Sequence, residues 1–229
     1  MDDKRLNDLL KWSINASTQK EDNTTDAAPV RSPNADAIAA LLGGPSDADL
    51  MVAAMQCAVS ADPEVTLESK LTALDNMEQL IESLDNANLL SRLGLWSPLL
   101  GLLAHAEPDV RRMAAWVVGT AVQNNEPSQE RLVALGGVEK IVAMVLGERL
   151  AQDGSETAAP TEPEKKDVRR KAVYALSSAC RNYQPAMDVV SRELAKREGK
   201  EADKVDAENM DAVDVVIDAL REKVLSAQQ

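Results

Sequence analysis

The chain has 229 residues and 45% hydrophobic content, enough to bury a sizeable core in one or two domains. Phenylalanine is absent and aromatics make up 2%, so the core must be aliphatic, which favours helices packed on helices over an aromatic-rich sandwich. Lys and Arg number 25 against 38 Asp and Glu; the net charge of -13 repels phosphate backbones and anionic membrane surfaces, so neither nucleic acid nor a membrane is expected as a partner.

The first segment, "MDDKRLNDLLKWSINAS", is too charged for a signal peptide, and no apolar run approaches the roughly 18 residues of a membrane span, so a soluble cytoplasmic protein is expected. Leu6, Leu9, Leu10 and Ile14 recur at helical spacing beside Trp12, which predicts one short amphipathic helix. It is too short to be stable alone. Residues 15–34 are rich in Asn, Thr, Ser and Pro and poor in large apolar residues, the composition of a flexible linker. Residues 1–34 therefore read as an arm and 35–229 as the folded domain.

A short helix in "ADAIAALLGG" is expected to stop at Gly43 and Gly44, and a strongly apolar one follows Ser46 and ends near Pro63. Helices then continue with expected breaks at Asn86, Gly94 and Pro98, and no strand-like alternation is present. Met51, Met55, Met77 and Met113 fit apolar helix faces and are expected in the core.

Internal repeats decide the architecture. "LLSRLGLWSPLLGLL" from Leu89 matches "RLVALGGVEKIVAMV" from Arg131, placing Gly94 and Gly136 at equivalent turns 42 residues apart. Further on, "VRRMAAWVVGTAVQNNEP" from Val110 matches "VRRKAVYALSSACRNYQP" from Val168, with seven of eighteen positions identical at a spacing of 58. The wider spacing is explained by "LAQDGSETAAPTEPEK", residues 150–165, a loop inserted between two helices, where extra length costs little. Forty-odd residues built as three helices with a Gly turn is the period of armadillo-type solenoids, in which each repeat buries its apolar face by stacking on its neighbours. The fold class is thus all-α, a right-handed armadillo-like solenoid of about four units with irregular outer ones, preceded by the arm.

The residues that carry chemistry in enzymes are thinly represented. His105 is the sole histidine and has no carboxylate or serine arrangement around it, while Cys57 and Cys180 sit in apolar helical patterns as free thiols without metal-ligand spacing. No catalytic residue, metal site or cofactor is expected. Arg111, Arg112, Arg169 and Arg170 begin helices and are expected to pair with acidic neighbours.

"VRRMAAWVVGTAVQNN" followed by "ERLVALGGVEKIVAMV" resembles the armadillo pattern, in which the third helix of each unit lines a concave groove. Trp116 matches the groove tryptophan of peptide-binding members, but the usual Asn position one turn on is Thr120, with Ser178 in the next unit. "LLKWSI", "AAWVVGTAVQNN" and "YALSSACRNYQPA", in this order, together resemble the armadillo-type nucleotide exchange factors of the seventy-kilodalton heat-shock chaperone, the fungal Fes-type members above all. The resemblance implies a non-enzymatic protein whose groove embraces one lobe of the chaperone's ATPase domain, opens the nucleotide cleft and lets ADP leave. It also implies that the arm contacts the chaperone's substrate-binding domain and helps expel bound polypeptide, with Leu9, Leu10 and Trp12 as its contact residues. A linker of about 20 residues reaches roughly 25 Å, enough to concentrate the arm near a docked chaperone. Trp116, Thr120, Gln123, Asn124, Tyr174, Ser178, Arg181 and Asn182 form the candidate chaperone-binding groove. Core packing for the two aromatics, and helix capping or plain solvation for the polar residues, are the competing readings. An armadillo adaptor that binds a partner without nucleotide exchange is the alternative function, and a monomer is expected.

Overall fold

In the computed structural model, residues 45–151 and 162–227 are described. The contacts divide the chain into Met1–Ser46 and Asp47–Gln229. The expected arm, the helix before Gly43 and most of the 150–165 insertion lie outside the described residues. Every regular element described is an α-helix: α1 (Asp47–Val59), α2 (Leu67–Ile81), α3 (Leu84–Arg92), α4 (Trp96–Leu102), α5 (Pro108–Val122), α6 (Glu126–Ala134), α7 (Gly137–Val145), α8 (Lys166–Cys180), α9 (Gln184–Glu198) and α10 (Met210–Ser226).

Helices α3–α5 and α6–α8 are two complete three-helix units, with α1–α2 before them and α9–α10 after. Equivalent helices stack: α2, α5, α8 and α10 form one row, and α3, α6 and α9 another. The two complete units superimpose the two sequence repeats, because Gly94 and Gly136 turn the chain with φ of 69° and 68° at the α3–α4 and α6–α7 junctions. Only a residue without Cβ takes that conformation at no steric cost. The four expected methionines are all buried with Met144, Met187 and Cys180, the core is otherwise Leu, Val, Ile and Ala, and Trp96 is the one fully buried aromatic among the described residues. The terminal helix α10 turns Asp211, Asp218, Arg221 and Glu222 to solvent, the polar face that an end-capping helix needs.

The expected breaks at Asn86 and Pro98 are corrected. The chain turns instead at Glu82 and Ser83, and Asn86 sits in the first turn of α3, where its Nδ2 donates to the Leu80 carbonyl at 2.9 Å and to Asp47 Oδ2 at 2.8 Å. An amide side chain that satisfies the previous helix's orphan carbonyl from inside the next helix looks, in sequence, like a breaker. Pro98 lies in the first turn of α4, where its missing N–H has no intrahelical partner to lose.

The ends of the long repeat share one geometry. After α5, Gln123 is extended, Asn124 is left-handed at φ 51°, Asn125 precedes α6, and Pro127 falls in its first turn. After α8, Arg181, Asn182 (φ 58°), Tyr183 and Pro185 do the same. Asparagine recurs because, of the residues with side chains, it enters the left-handed region most readily, and proline recurs because it starts the next helix rather than ending the previous one.

The helix-initial arginines divide. Arg111 is 3% exposed and donates from Nε and Nη2 to both carboxylate oxygens of Glu164, at 2.6 and 2.7 Å, while its Nη1 reaches the carbonyls of His105 and Ala106. Glu164 in turn donates its backbone N–H to the Gly147 carbonyl at 2.9 Å, so the returning end of the inserted connection is pinned into the interior. Such a pair is costly to desolvate and is sustained by satisfying nearly every donor and acceptor in it. Arg112 pairs with Asp109 and Asp167 as expected. Arg169 does not pair with an acid: its Nε donates to the Val145 carbonyl at 2.9 Å, and the guanidinium lies against Gly147.

Among the described helices α5 and α8 are in the most extensive contact, and small residues lie where they meet, Gly119 on one side and Ala175 on the other. At Gly119 the approach is closest: a Cβ there would stand 2.5 Å from the Tyr174 ring and 3.0 Å from the Ala175 Cα. In an open helix interior, Gly→Ala gains about 1 kcal/mol. Here the added methyl meets a ring and a backbone, and overpacking of that kind costs about 1–3 kcal/mol. Gly119→Ala is therefore expected to destabilise the fold by roughly 1 kcal/mol or more in urea unfolding, with a smaller penalty in a Tyr174→Ala background; a stabilised Gly119→Ala protein would contradict the packing.

Candidate functional site

The row α2–α5–α8 presents a continuous polar and aromatic face. Trp116, Thr120 and Gln123 fall at i, i+4 and i+7 on α5 and at the turn that ends it, and Lys171, Tyr174 and Ser178 at i, i+3 and i+7 on α8, so each set shares one side of its helix. Trp116 and Tyr174, equivalent in the repeat, are both partly buried, Trp116 packed on the core and the Tyr174 ring against Gly119. Core packing and surface exposure are thus both satisfied at these positions.

A run of polar contacts crosses all three helices. Glu78 of α2 is 7% exposed and accepts from Thr120 Oγ1 at 2.7 Å; Thr120 Oγ1 lies 3.5 Å from the Tyr174 hydroxyl; that hydroxyl donates to Gln123 Oε1 at 3.2 Å. The absent side chain at Gly119 lets the Tyr174 ring lie flat enough across α5 to make the last two contacts. Above this network the Lys171 ammonium stands 3.3 Å from the Trp116 ring centroid and 5.9 Å from that of Tyr174. Burial lowers the Lys171 pKa from its ordinary value, Glu78 works against that shift, and Arg112 and Arg170 add to it. A polar network held in place by packing on both sides is rigid before any partner arrives.

The eight expected groove residues do not form one patch. Trp116, Thr120, Gln123 and Tyr174 come together with Glu78 and Lys171. Ser178 is 8% exposed, and its carbonyl accepts from Gln129 Nε2 at 3.1 Å, together with those of Ala179 and Arg181. Gln129 thereby closes the C-terminal end of α8 from the neighbouring row. Arg181 turns toward α10: it pairs with Asp214 and donates to Met210 Sδ at 3.4 Å and Ser177 Oγ at 3.2 Å. Asn124 and Asn182 are exposed at the rim. The Asn124 turn is open, whereas the second turn is covered by the segment before α10, since Asn182 N donates to the Ala207 carbonyl at 3.0 Å and Gln184 bonds to Val205 and Ala207. Leu9, Leu10 and Trp12 lie outside the described residues.

Sequence reasoning missed Glu78, Lys171 and Gln129. For Lys171 a signal exists: it occupies the repeat position held by Met113 in the preceding unit, which is 7% exposed, so an ammonium replaces a thioether at an otherwise matched site. Glu78 carries none, because its burial depends on α5 packing across α2.

Elsewhere, Cys57 and Cys180 are free, and burial pushes the Cys180 thiol up to about 12, which leaves it unreactive as a nucleophile. Among the described residues no group of three His, Cys, Asp or Glu side chains is placed to hold a metal ion, and no helix is long and apolar enough to cross a membrane.

Comparison with known proteins covers nearly the whole chain. Residues 6–90 match the model of the family "Nucleotide exchange factor Fes1". The Hsp70 nucleotide exchange factor FES1 of Gibberella zeae is 54% identical over 98% of this chain and 99% of its own length, and that of Neurospora crassa is 47% identical over 98% and 100%. The protein of the same name from Yarrowia lipolytica is 39% identical over 79% of this chain but only 56% of its own length. Among solved structures, an engineered protein aligns with a TM-score of 0.51 at 16% identity, over 85% of this chain and 41% of that one, a likeness of fold alone. With 54% identity over 98% of its length to one such protein and 47% over 98% to another, the chain belongs to the Fes1 family of Hsp70 nucleotide exchange factors.

Proposed function

We propose that this chain is a nucleotide exchange factor for a cytosolic Hsp70 chaperone, acting as a monomer and by binding alone. The observation that carries this reading is the end-to-end identity to relatives bearing that name. The row α2–α5–α8, with Trp116, Thr120, Gln123 and Tyr174 at its centre and Asn124, Ser178, Arg181 and Asn182 toward its rim, would hold one lobe of the chaperone's ATPase domain in the position it takes when the nucleotide cleft is open. No group on the face needs to do chemistry. A protein that binds the open form better than the ADP-closed form shifts that equilibrium by its differential affinity, and a pre-ordered surface gives up little entropy in doing so.

Two details of the geometry shape the role of individual residues. Arg181 already has a carboxylate partner in Asp214, so a chaperone contact through it competes with that pair. Asn182 is held at positive φ, so replacing it by alanine strains the backbone as well as removing the amide; Asn182→Gly separates the two effects.

The test preloads a purified Hsp70 with a fluorescent ADP analogue and adds this protein with excess ATP. Release is expected to accelerate with protein concentration and saturate. Trp116→Ala combined with Tyr174→Ala should raise the concentration required by more than about tenfold, as loss of two central anchors does. Unchanged release at saturating wild-type protein would remove exchange activity and leave a groove-binding adaptor.

Residues 1–34 would act on the other half of the chaperone, with Leu9, Leu10 and Trp12 entering the substrate-binding domain and displacing bound polypeptide. Deleting them should spare ADP release and slow the release of a labelled substrate peptide. Equal peptide release from the full-length and shortened proteins would count against the arm.

A further inference from the structure

The Lys171 ammonium is placed against its own electrostatic interest. It is partly buried, it lies 3.3 Å over the Trp116 ring, and among the described residues it makes no hydrogen bond and no ion pair. An ammonium has three donors to satisfy, and the face of an indole satisfies none of them as a carboxylate would. The charged groups that face it are Glu78 on α2, Arg112 on α5 and Arg170 on α8. Glu78 is the one carboxylate among them, and it is engaged with Thr120 rather than with Lys171. Arg112 is held by Asp109 and Asp167, and Arg181 by Asp214.

This arrangement is unusual in a chain of net charge -13, where spare carboxylates abound. The repeat shows that packing does not require the charge, since Met113 occupies the equivalent position one unit earlier and is buried there. The amine at residue 171 is therefore an addition to the solenoid pattern, set on an aromatic shelf in the middle of the candidate face and partly exposed, with its donors unmet among the described residues. A cation partly stripped of water and already positioned loses little on receiving an anion, which is the condition under which one charged contact contributes strongly to binding.

We propose that Lys171, held on Trp116, is a specificity-determining residue that receives a carboxylate side chain of the protein partner at the centre of the α2–α5–α8 face. The inference rests on the reading of that face as the Hsp70-binding surface. It makes Trp116 a shelf for the cation as well as an apolar anchor, and it makes partner recognition partly ionic although the protein as a whole is strongly acidic.

The experiment measures the Kd of the full chain for intact, nucleotide-free Hsp70 at low and high salt, for wild type, Lys171→Met and Lys171→Arg. Methionine keeps length and apolar contact and is the residue the preceding repeat carries, so the fold should persist with an unchanged thermal midpoint. Lys171→Met is expected to weaken binding at least tenfold at low salt and to flatten the salt dependence relative to wild type, whereas Lys171→Arg should retain most of the affinity. If wild type binds and Lys171→Met binds within twofold of it, the ionic contact is overturned while the exchange-factor reading stands. If Met and Arg weaken binding equally with the salt slope unmoved, the residue acts through packing and the proposal is equally overturned. If wild type itself fails to bind, both fall together.

Discussion

The close packing of α5 on α8 is the constraint from which the rest of the molecule follows. Two helices approach this nearly only where their facing positions are small, and Gly119 opposite Ala175 supplies that at the closest point. The approach fixes the translation from one repeat to the next, so that α2 and α10 fall into the same row at either end. It also decides where the larger side chains go. With no Cβ at Gly119 the Tyr174 ring is drawn across α5, and its hydroxyl then stands within reach of both Thr120 and Gln123. A core-packing requirement and a surface-chemistry feature thus have one structural cause.

That dual origin explains why the aromatic pair resisted assignment to either core or contact. Trp116 and Tyr174 are each partly buried and partly exposed, a disposition in which aromatic residues contribute strongly at interfaces. Around them Glu78, Thr120, Tyr174 and Gln123 are already joined by polar contacts before a partner arrives, whereas the Lys171 ammonium has no hydrogen bond among the described residues. For a factor that works by holding one conformation of another protein, rigidity has a direct value. Moving a two-state equilibrium from one percent to ninety-nine percent needs a differential affinity of about 10⁴-fold, and a surface that must itself be ordered on binding would lose part of that discrimination.

The solenoid was legible because repetition exposes it. Gly94 and Gly136 mark equivalent turns, and the two long strings mark equivalent helices, with Asn124 and Asn182 recurring for a backbone conformation and Pro127 and Pro185 for a helix start. Contacts that join distant parts of the chain left no such trace. Nothing in the local pattern of residue 164 indicates that its carboxylate is buried against Arg111, 53 positions away. Arg181 was correctly placed at the end of the repeated helix, but α10, which has no counterpart in the repeat, draws it aside to Asp214. Asn86 and Pro98 were misread because residues common in helix breaks are also at home in the first turn. The substitution of Lys171 for Met113 was visible in the aligned strings and becomes informative only once Trp116 is known to lie beneath it.

The account stands most directly on whether the partner meets the α5–α8 face. Three tryptophans distinguish the regions of the chain, since Trp116 lies on that face, Trp96 is 1% exposed at the start of α4 within the core, and Trp12 precedes the described residues. Fluorine NMR of 5-fluorotryptophan-labelled protein, with each line assigned by single Trp→Phe replacement, follows all three during titration with Hsp70. The Trp116 line should shift or broaden while that of Trp96 stays in place. A Trp116 line unmoved at saturating chaperone would contradict the account.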